Sequence, residues 1–191
     1  IKHMNSYSKK TIRLLFLSLF LILGMTYDAQ ACTRVVYNGT NNTVITGRTM
    51  DFSIEIPANQ WLFPRGIKRN GEVGKNSIEW TSKYGSIGTS TWDIAIADGM
   101  NEKGLVSNLL WLLDSQYPTF DPNGKKKGMA VSLWAQYVLD NFATVDEAVA
   151  ELSKEEFVVV SDYIPGTQKF TTVHLSISDA SGDNAILEYV N

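Results

Sequence analysis

The chain has 191 residues, of which 44% are hydrophobic and 19% charged, so it is long enough to bury an apolar core. Its formal net charge is -3, with 17 lysines and arginines dispersed among 20 acidic residues. This balance argues against attraction to nucleic acid or to an anionic membrane surface, and we expect no nucleic-acid partner.

The first 31 residues have the pattern of a secretory signal peptide. A basic lead precedes residues 14–25, an apolar run that is shorter than the roughly 20 residues needed to cross a bilayer. Small residues at Ala29 and Ala31 then form a cleavage site. We therefore expect cleavage between Ala31 and Cys32, no membrane span after processing, and a secreted or periplasmic protein.

Cleavage would make Cys32, the sole cysteine of the sequence, the first residue of the mature chain. One cysteine cannot form an internal disulfide, and an unpaired thiol in an exported protein indicates intermolecular pairing or a reactive role. Two interpretations stay open. Cys32 is either a terminal catalytic nucleophile or an acylated residue that anchors a surface lipoprotein acting as a binding module.

The predicted elements begin with a hairpin of β-branched residues and end with another hairpin, with a helical block between them. Strands are predicted over residues 32–38, 43–48, 60–63, 78–82, 92–97, 105–111, 171–178 and 184–190. Apolar spacing predicts one helix over 129–142, and Thr144 with Glu147 forms a capping box that begins a second helix. This order predicts an α+β fold with both helices against one face of the sheet.

The first predicted hairpin indicates which side chains lie close to Cys32, the terminal residue of the mature chain. If Tyr37 faces Thr43, then Cys32 stands opposite Arg48 on the same face of the sheet. A neighbouring arginine favours the thiolate, and the terminal α-amine, with a pKa of about 7.7–8.0, can accept the thiol proton. Asp51 follows where its carboxylate could hold the ammonium group, although a surface ion pair with Arg48 is the alternative interpretation.

Four segments of the chain resemble the choloylglycine hydrolase family, which includes bile salt hydrolases and penicillin V acylases. They are CTRVVYN at 32–38, GRTMDF at 47–52, TSKYGSI at 81–87 and DGMNEKGL at 98–105. The resemblance implies an N-terminal-nucleophile hydrolase of linear, non-peptide amides with a four-layer αββα fold. It also implies a homo-oligomer that needs no cofactor, with residues 32–191 as the N-terminal portion of a single hydrolase domain.

The resemblance implies a role at each of five positions. Cys32 would be the nucleophile and its amine the base, with Arg48 and Asp51 supporting the thiolate and the amine. Trp111 occupies the position whose backbone N–H contributes to the oxyanion hole, and a tryptophan there implies an apolar acyl pocket. Phe52 would line the same pocket, with an ordinary core role as the alternative.

Several properties stay open in the sequence. The chain ends directly after a predicted strand, so we expect a piece of a longer protein, and an inactive fragment is a further interpretation. The resemblance implies a second oxyanion-hole asparagine and a further arginine beyond Asn191. Residues 1–3, ahead of Met4, are interpreted as additions to the natural start. The amide substrate is undecided among conjugated bile salts, penicillin V and N-acyl homoserine lactones.

His174 is the sole histidine of the expected mature chain and lies in an alternating strand without a ligand-spaced partner. The sequence also has no glycine-rich phosphate loop or nucleotide-binding fingerprint. We therefore expect no metal site and no cofactor.

Overall fold

The computed structural model describes residues 32–52, 54–164 and 166–190, and the predicted signal peptide over 1–31 lies outside them. Two helices, α1 (Trp134–Asn141) and α2 (Val145–Leu152), follow a 3-10 turn at Val131–Leu133. The strands are β1 (Arg34–Asn38), β2 (Val44–Arg48), β3 (Ala58–Phe63), β4 (Lys68–Asn70), β5 (Glu79–Thr81), β6 (Ser86–Thr91), β7 (Ala95–Asn101), β8 (Val106–Trp111), β9 (Lys127–Ala130), β10 (Phe157–Val160), β11 (Val173–Ser178) and β12 (Asn184–Leu187).

Six strands form an antiparallel sheet in the order β12-β11-β8-β7-β6-β3. In the central strands β8 and β11, alternation places Leu109 and Leu175 on one face and Asn108 and Ser176 on the other. The remaining strands pair as β1 with β2, β4 with β5, and β9 with β10, the last pair being parallel. The sheet therefore has one apolar face and one polar face in its central strands.

Both helices belong to the layer on the apolar face of the sheet. Helix α1 contacts β7 and β8, and Val138 lies in the same buried cluster as Leu109 and Leu175. Val138 and Leu175 are fully buried. This layer is the main hydrophobic core of the described residues, as the α+β prediction requires.

Helix α2 begins as the sequence predicts. The Thr144 hydroxyl accepts the Glu147 backbone N–H at 3.2 Å, and the Glu147 carboxylate accepts the Ala143 N–H at 2.8 Å. These two bonds satisfy backbone donors that the first helical turn leaves without partners. The capping box is confirmed.

Two predicted elements differ most from the structure. The helix predicted over 129–142 begins only at Trp134, because Met129 belongs to β9 and pairs in parallel with Val159 of β10. Apolar spacing alone does not separate a short buried strand from a helical turn. The strand predicted over 92–97 begins late as well, because its first residues form the turn between β6 and β7.

The β1–β2 hairpin lies across the polar face of the sheet. The Arg34 guanidinium donates to the Asn108 side-chain oxygen and to the Ser178 hydroxyl, both at 2.7 Å. The hydroxyls of Thr46 and Ser178 are 2.9 Å apart. Polar contacts therefore fix the hairpin on the face opposite the helices.

The register of this hairpin differs from the prediction by two residues. Arg34, and not Cys32, is opposite Arg48, and the loop is closed by the Gly39 N–H donating to the Thr43 carbonyl at 2.8 Å. Two successive asparagines in this loop adopt left-handed conformations with φ of 61° and 57°, which asparagine tolerates. Because side chains alternate with a period of two, the shift leaves the face of each side chain unchanged.

Candidate active site

A cavity of about 310 Å³ lies at the end of the sheet where β7 and β8 separate. The two strands pair as far as Asp98 and Asn108. Next to this point the register between β6 and β7 shifts between Thr89 and Ser90, as it would at a β-bulge. Beyond it, Ala97 of β7 and Leu109 of β8 both line the cavity. The separation of two neighbouring strands thus opens the sheet into a pocket.

Cys32 is half-buried and lines this cavity. The next residue, Thr33, is held against the end of β2 by two hydrogen bonds. The Thr49 N–H donates to the Thr33 carbonyl at 2.9 Å, and the Thr33 N–H donates to the Thr49 hydroxyl at 3.2 Å. These bonds position the thiol at the cavity wall.

Arg48 also lines the cavity, and its side chain is only 10% exposed. Its Nη2 donates to the Leu109 carbonyl at 2.7 Å, an acceptor that β7 does not use because the two strands have separated. Its Nε lies 3.3 Å from the Asp98 carboxylate. Within the described residues, the buried Nη1 has no hydrogen-bond partner. The guanidinium is therefore fixed on one side and keeps donor capacity on the other.

A polar network behind Arg48 holds it in place. The Asn108 amide donates to the Asp98 carboxylate at 2.8 Å and accepts from Arg34 at 2.7 Å. Burial lowers the pKa of the Arg34 guanidinium, while the nearby Asp98 charge opposes that effect. Sequence reasoning missed this network. Arg34 and Asp98 lie in segments that carry the family resemblance, and that was the one available indication.

Asp51 lies outside the cavity wall. Its carboxylate is exposed and accepts the Thr49 hydroxyl proton at 2.9 Å. The same hydroxyl accepts the Thr33 N–H, so a single side chain links Asp51 to the residue that follows Cys32. Of the five predicted site residues, the other four share the cavity, and Asp51 is connected to it through this bridge.

Three aromatic side chains form a row along the cavity, with Phe52 in the middle. Its ring makes edge contacts with Trp111 at 5.6 Å and with Trp92 at 5.9 Å between centroids. The Lys169 ammonium lies 4.6 Å from the centre of the Phe52 ring. Sequence reasoning identified Phe52 and Trp111 but missed Trp92, which it placed in a strand.

The backbone of Trp111 faces the gap between the two strands. The Leu112 N–H donates to the carbonyl of Thr172, the residue directly before β11, at 3.0 Å. This amide therefore points to the β11 side of the strand. Backbone groups alternate between the two sides of an antiparallel strand. The Trp111 N–H therefore points to the β7 side, the same side on which Arg48 reaches the Leu109 carbonyl.

The cavity combines apolar walls with a thiol and a guanidinium. Aliphatic and aromatic side chains dominate its lining. Among the described residues, no group of three or more His, Cys, Asp or Glu side chains could hold a metal ion. None of the helices in the same residues is long and apolar enough to cross a membrane. The arrangement can bind an apolar group beside a nucleophilic sulfur.

The chain is similar in sequence to two proteins of known activity. The chain is 50% identical over 168 residues to a penicillin V acylase of Pectobacterium atrosepticum, covering 84% of this chain and 45% of the relative. It is 31% identical over 163 residues to a bile salt hydrolase/transferase of Clostridium perfringens, covering 82% of this chain and 47% of that relative. The chain thus spans less than half the length of these curated relatives.

A solved structure supports the same relationship. The penicillin V acylase of Agrobacterium tumefaciens superposes with a TM-score of 0.75 at 51% identity, covering 83% of this chain and 46% of that chain. This likeness confirms the predicted fold class, the first part of the αββα N-terminal-nucleophile hydrolase fold. The family described as linear amide C–N hydrolases, choloylglycine hydrolase family, matches residues 32–191. The chain belongs to the choloylglycine hydrolase family of linear amide C–N hydrolases.

Proposed function

We propose that the protein hydrolyses linear, non-peptide amides, with Cys32 as an N-terminal nucleophile. The observation that carries this proposal is that the Cys32 thiol and the Arg48 guanidinium both line one apolar cavity. A thiol at a chain terminus needs no separate base, because its own amine can accept the proton. This proposal requires that residue 31 be removed.

The reaction has two steps. The Cys32 amine takes the thiol proton, and the thiolate attacks the acyl carbon to form a tetrahedral oxyanion. The carbon–nitrogen bond then breaks, the leaving amine takes the proton from the ammonium group, and a thioester remains. Water adds to the thioester with the amine again accepting a proton, and the carbon–sulfur bond breaks to release a carboxylic acid and restore the thiol.

Backbone and side-chain donors stabilise the charges in these steps. The Trp111 N–H, directed to the strand gap, donates to the oxyanion, and each such donor is worth roughly 3–4 kcal/mol in other enzymes. The Arg48 guanidinium, whose buried Nη1 has no hydrogen-bond partner in the described residues, stabilises the negative charge of the thiolate. Asp51 accepts the Thr49 hydroxyl proton, and Thr49 accepts the Thr33 N–H, so Asp51 helps to position the start of the mature chain.

The cavity favours a substrate with an apolar acyl group. Its aromatic row and aliphatic walls match the acyl side of the amide, and the polar amine leaves toward solvent. We propose penicillin V-type amides as the first class to test, because the relative with 50% identity is a penicillin V acylase. Conjugated bile salts are the second class, in line with the more distant relative.

Export is part of the same proposal. The signal peptide over 1–31 directs the protein to the periplasm or the medium, and its removal frees the Cys32 amine. The mass of the exported protein tests this directly, because a bare terminal cysteine and a diacylated one differ by the mass of the lipid. We also propose a homo-oligomer by family resemblance, which light scattering would measure.

The decisive experiment compares Cys32→Ala and Cys32→Ser with the wild type on penicillin V and on a taurine-conjugated bile salt. Both variants should retain the wild-type melting temperature and lose nearly all hydrolysis, because neither alanine nor a hydroxyl supplies a thiolate. A full-length protein with an uncleavable residue 31 should be equally inactive. Substantial turnover by any of these three proteins would refute the terminal-cysteine mechanism.

A further inference from the structure

The tight turn between β6 and β7 has an unusual residue at its centre. Trp92 and Asp93 both adopt left-handed backbone conformations, with φ of 52° and 53°. The Thr91 carbonyl accepts the Ile94 N–H at 3.0 Å, which closes a β-turn with Trp92 and Asp93 as its two central residues. Such turns favour asparagine or glycine, and a bulky side chain in this conformation is an outlier.

The neighbouring residue keeps this strained turn in place. The Asp93 carboxylate accepts the Ser90 hydroxyl proton at 2.7 Å and the Asn59 amide at 2.9 Å. It also accepts the Trp61 indole N–H at 3.3 Å. Strained backbone persists where the surroundings over-determine it, and such sites cluster at ligand-binding positions. The turn therefore holds the backbone of Trp92 in one orientation.

That orientation directs Trp92 to the cavity. Its side chain lines the pocket and contacts the edge of Phe52, which in turn contacts Trp111. Trp92 thus stands at the opposite end of the aromatic row from Trp111. The left-handed pair in the β1–β2 loop, Asn41 and Asn42, is not part of this cavity wall.

We infer that Trp92 is a specificity-determining residue that binds the part of the acyl group remote from the amide bond. This inference rests on the proposed function, which puts the reacting carbonyl near Cys32 and the Trp111 N–H. An acyl group must extend past Phe52 to reach Trp92. The favoured substrates are therefore amides with long or ring-containing acyl groups, and amides of short acids gain nothing from Trp92.

The test uses the full natural protein and a series of amides that share one chromogenic amine and carry straight acyl chains from butanoyl to dodecanoyl. In Trp92→Gly, kcat/KM for the long chains should fall about tenfold, because apolar contact area is lost. The value for butanoyl should stay within about twofold, since that chain is too short to contact the indole. Trp92→Phe should retain most of the preference for long chains.

Melting temperature separates this role from a structural one. Glycine suits the left-handed turn, so relief of strain should offset the lost ring contact, and Trp92→Gly should melt within about 2 °C of the wild type. Glu155→Gly is the matched control. Glu155 has a left-handed φ of 49° in another turn, where it makes an exposed ion pair with Lys126, and it is absent from the cavity wall. This control should leave the acyl preference unchanged.

A binding measurement keeps the inference separate from the catalytic proposal. Calorimetry with the Cys32→Ala protein, with and without Trp92→Gly, should show about tenfold weaker binding of the dodecanoyl amide when the indole is removed. A wild type that binds but does not hydrolyse the amides would reject the proposed function and leave the Trp92 inference standing. An equal loss across all chain lengths, or no loss for any, would overturn the inference.

Discussion

Two Arg–Asp pairs in this protein, both largely shielded from solvent, have the same chemical components and different surroundings. Arg48 and Asp98 lie beside the cavity, 3.3 Å apart, with side chains 10% and 23% exposed. Arg69 and Asp140 lie between the β4–β5 hairpin and α1, 2.8 Å apart, and the Asp140 side chain is fully buried. The first pair is looser and lies at a pocket, whereas the second is closed within the fold.

The carboxylate of the second pair is surrounded by donors. Asp140 accepts the Trp80 indole N–H at 2.8 Å and the Gln136 amide at 2.7 Å, in addition to its contact with Arg69. Burial raises the pKa of Asp140, and these three neighbours oppose that rise. The Arg69 guanidinium also stacks on Phe63 at 4.8 Å. This pair links three elements and leaves no room for a ligand at the carboxylate.

The different surroundings of the two pairs indicate that one contributes to the stability of the fold and the other to the site. Arg69, like Arg48, has buried guanidinium nitrogens without a hydrogen-bond partner in the described residues, so the two pairs differ in what surrounds them. A buried carboxylate surrounded by donors fixes the local structure, and removing it is costly. A buried charge with an unused donor next to a cavity can bind a group that arrives with the substrate. We therefore assign Arg69 and Asp140 to the stability of the fold and Arg48 and Asp98 to the site.

The largest expected effect is on stability, from Asp140→Ala. Removing the carboxylate leaves the Arg69 charge buried without its counter-ion, and breaking a buried pair in this way costs about 3–5 kcal/mol. Urea unfolding should show this loss, while the folded fraction keeps its kcat/KM on penicillin V. Unchanged stability in Asp140→Ala would mean that this pair is not the structural one.

The second effect is on activity, from Arg48→Lys. Lysine keeps the charge but cannot donate to the Leu109 carbonyl while it faces both Asp98 and the thiolate. We expect kcat/KM to fall roughly 100-fold, comparable to the loss of one preorganised donor. The melting temperature should change little. Arg69→Lys is the matched control, and it should lower the melting temperature with little change in kcat/KM.

The third effect is smaller and comes from Asp98→Asn. Asparagine keeps the shape that Asn108 and Arg48 contact but removes the charge that holds the guanidinium. We expect kcat/KM to fall about tenfold, less than for Arg48→Lys, because the Leu109 carbonyl still positions Arg48. The pH dependence of Cys32 alkylation by iodoacetamide should shift as well. A wild-type pH profile combined with wild-type activity would remove Asp98 from the site.

The sequence predicted the parts of the fold that depend on local chemistry. The capping box at Thr144 and the final hairpin need no distant partner, and both occur, with the last strand ending at Leu187 rather than at Val190. The strands β6 and β10 were missed, because β6 (SIGTST) has few apolar residues and β10 lies next to the helical block. The pairing of β10 with β9 spans the helical block, and no local pattern specifies it. Strand β6 pairs with β7 across a tight turn, so it was missed for its composition alone.

For the site too, the features that depend on local sequence were predicted, and those that depend on tertiary contacts were not. The resemblance identified four residues that line the cavity, Cys32, Arg48, Phe52 and Trp111. The first three lie inside its motifs, and Trp111 follows the last motif. The resemblance could not show that β7 and β8 separate, or that Asp98 lies behind Arg48, since these are tertiary contacts. The register of the first hairpin was wrong for a local reason, the position of the left-handed asparagines in the loop.

The smallest expected effect concerns a third pair, Arg65 and Glu102, which lies on the surface. Paired hydrogen bonds from Arg65, and then the Gly85 N–H at 2.9 Å, lower the pKa of Glu102 to about 2. A depressed pKa means that the stabilising contribution is present above the ordinary value of 4.5 and is lost as the pH falls toward 2. Solvent screening keeps the contribution of an exposed pair small. Glu102→Gln should therefore be slightly less stable than the wild type at pH 6, and the two urea midpoints should converge as the pH falls from 4.5 toward 2. Glu79→Gln, at an exposed glutamate of β5, is the control and should show no such convergence. A difference that persists unchanged at pH 3 would show that the charge of Glu102 is not its source.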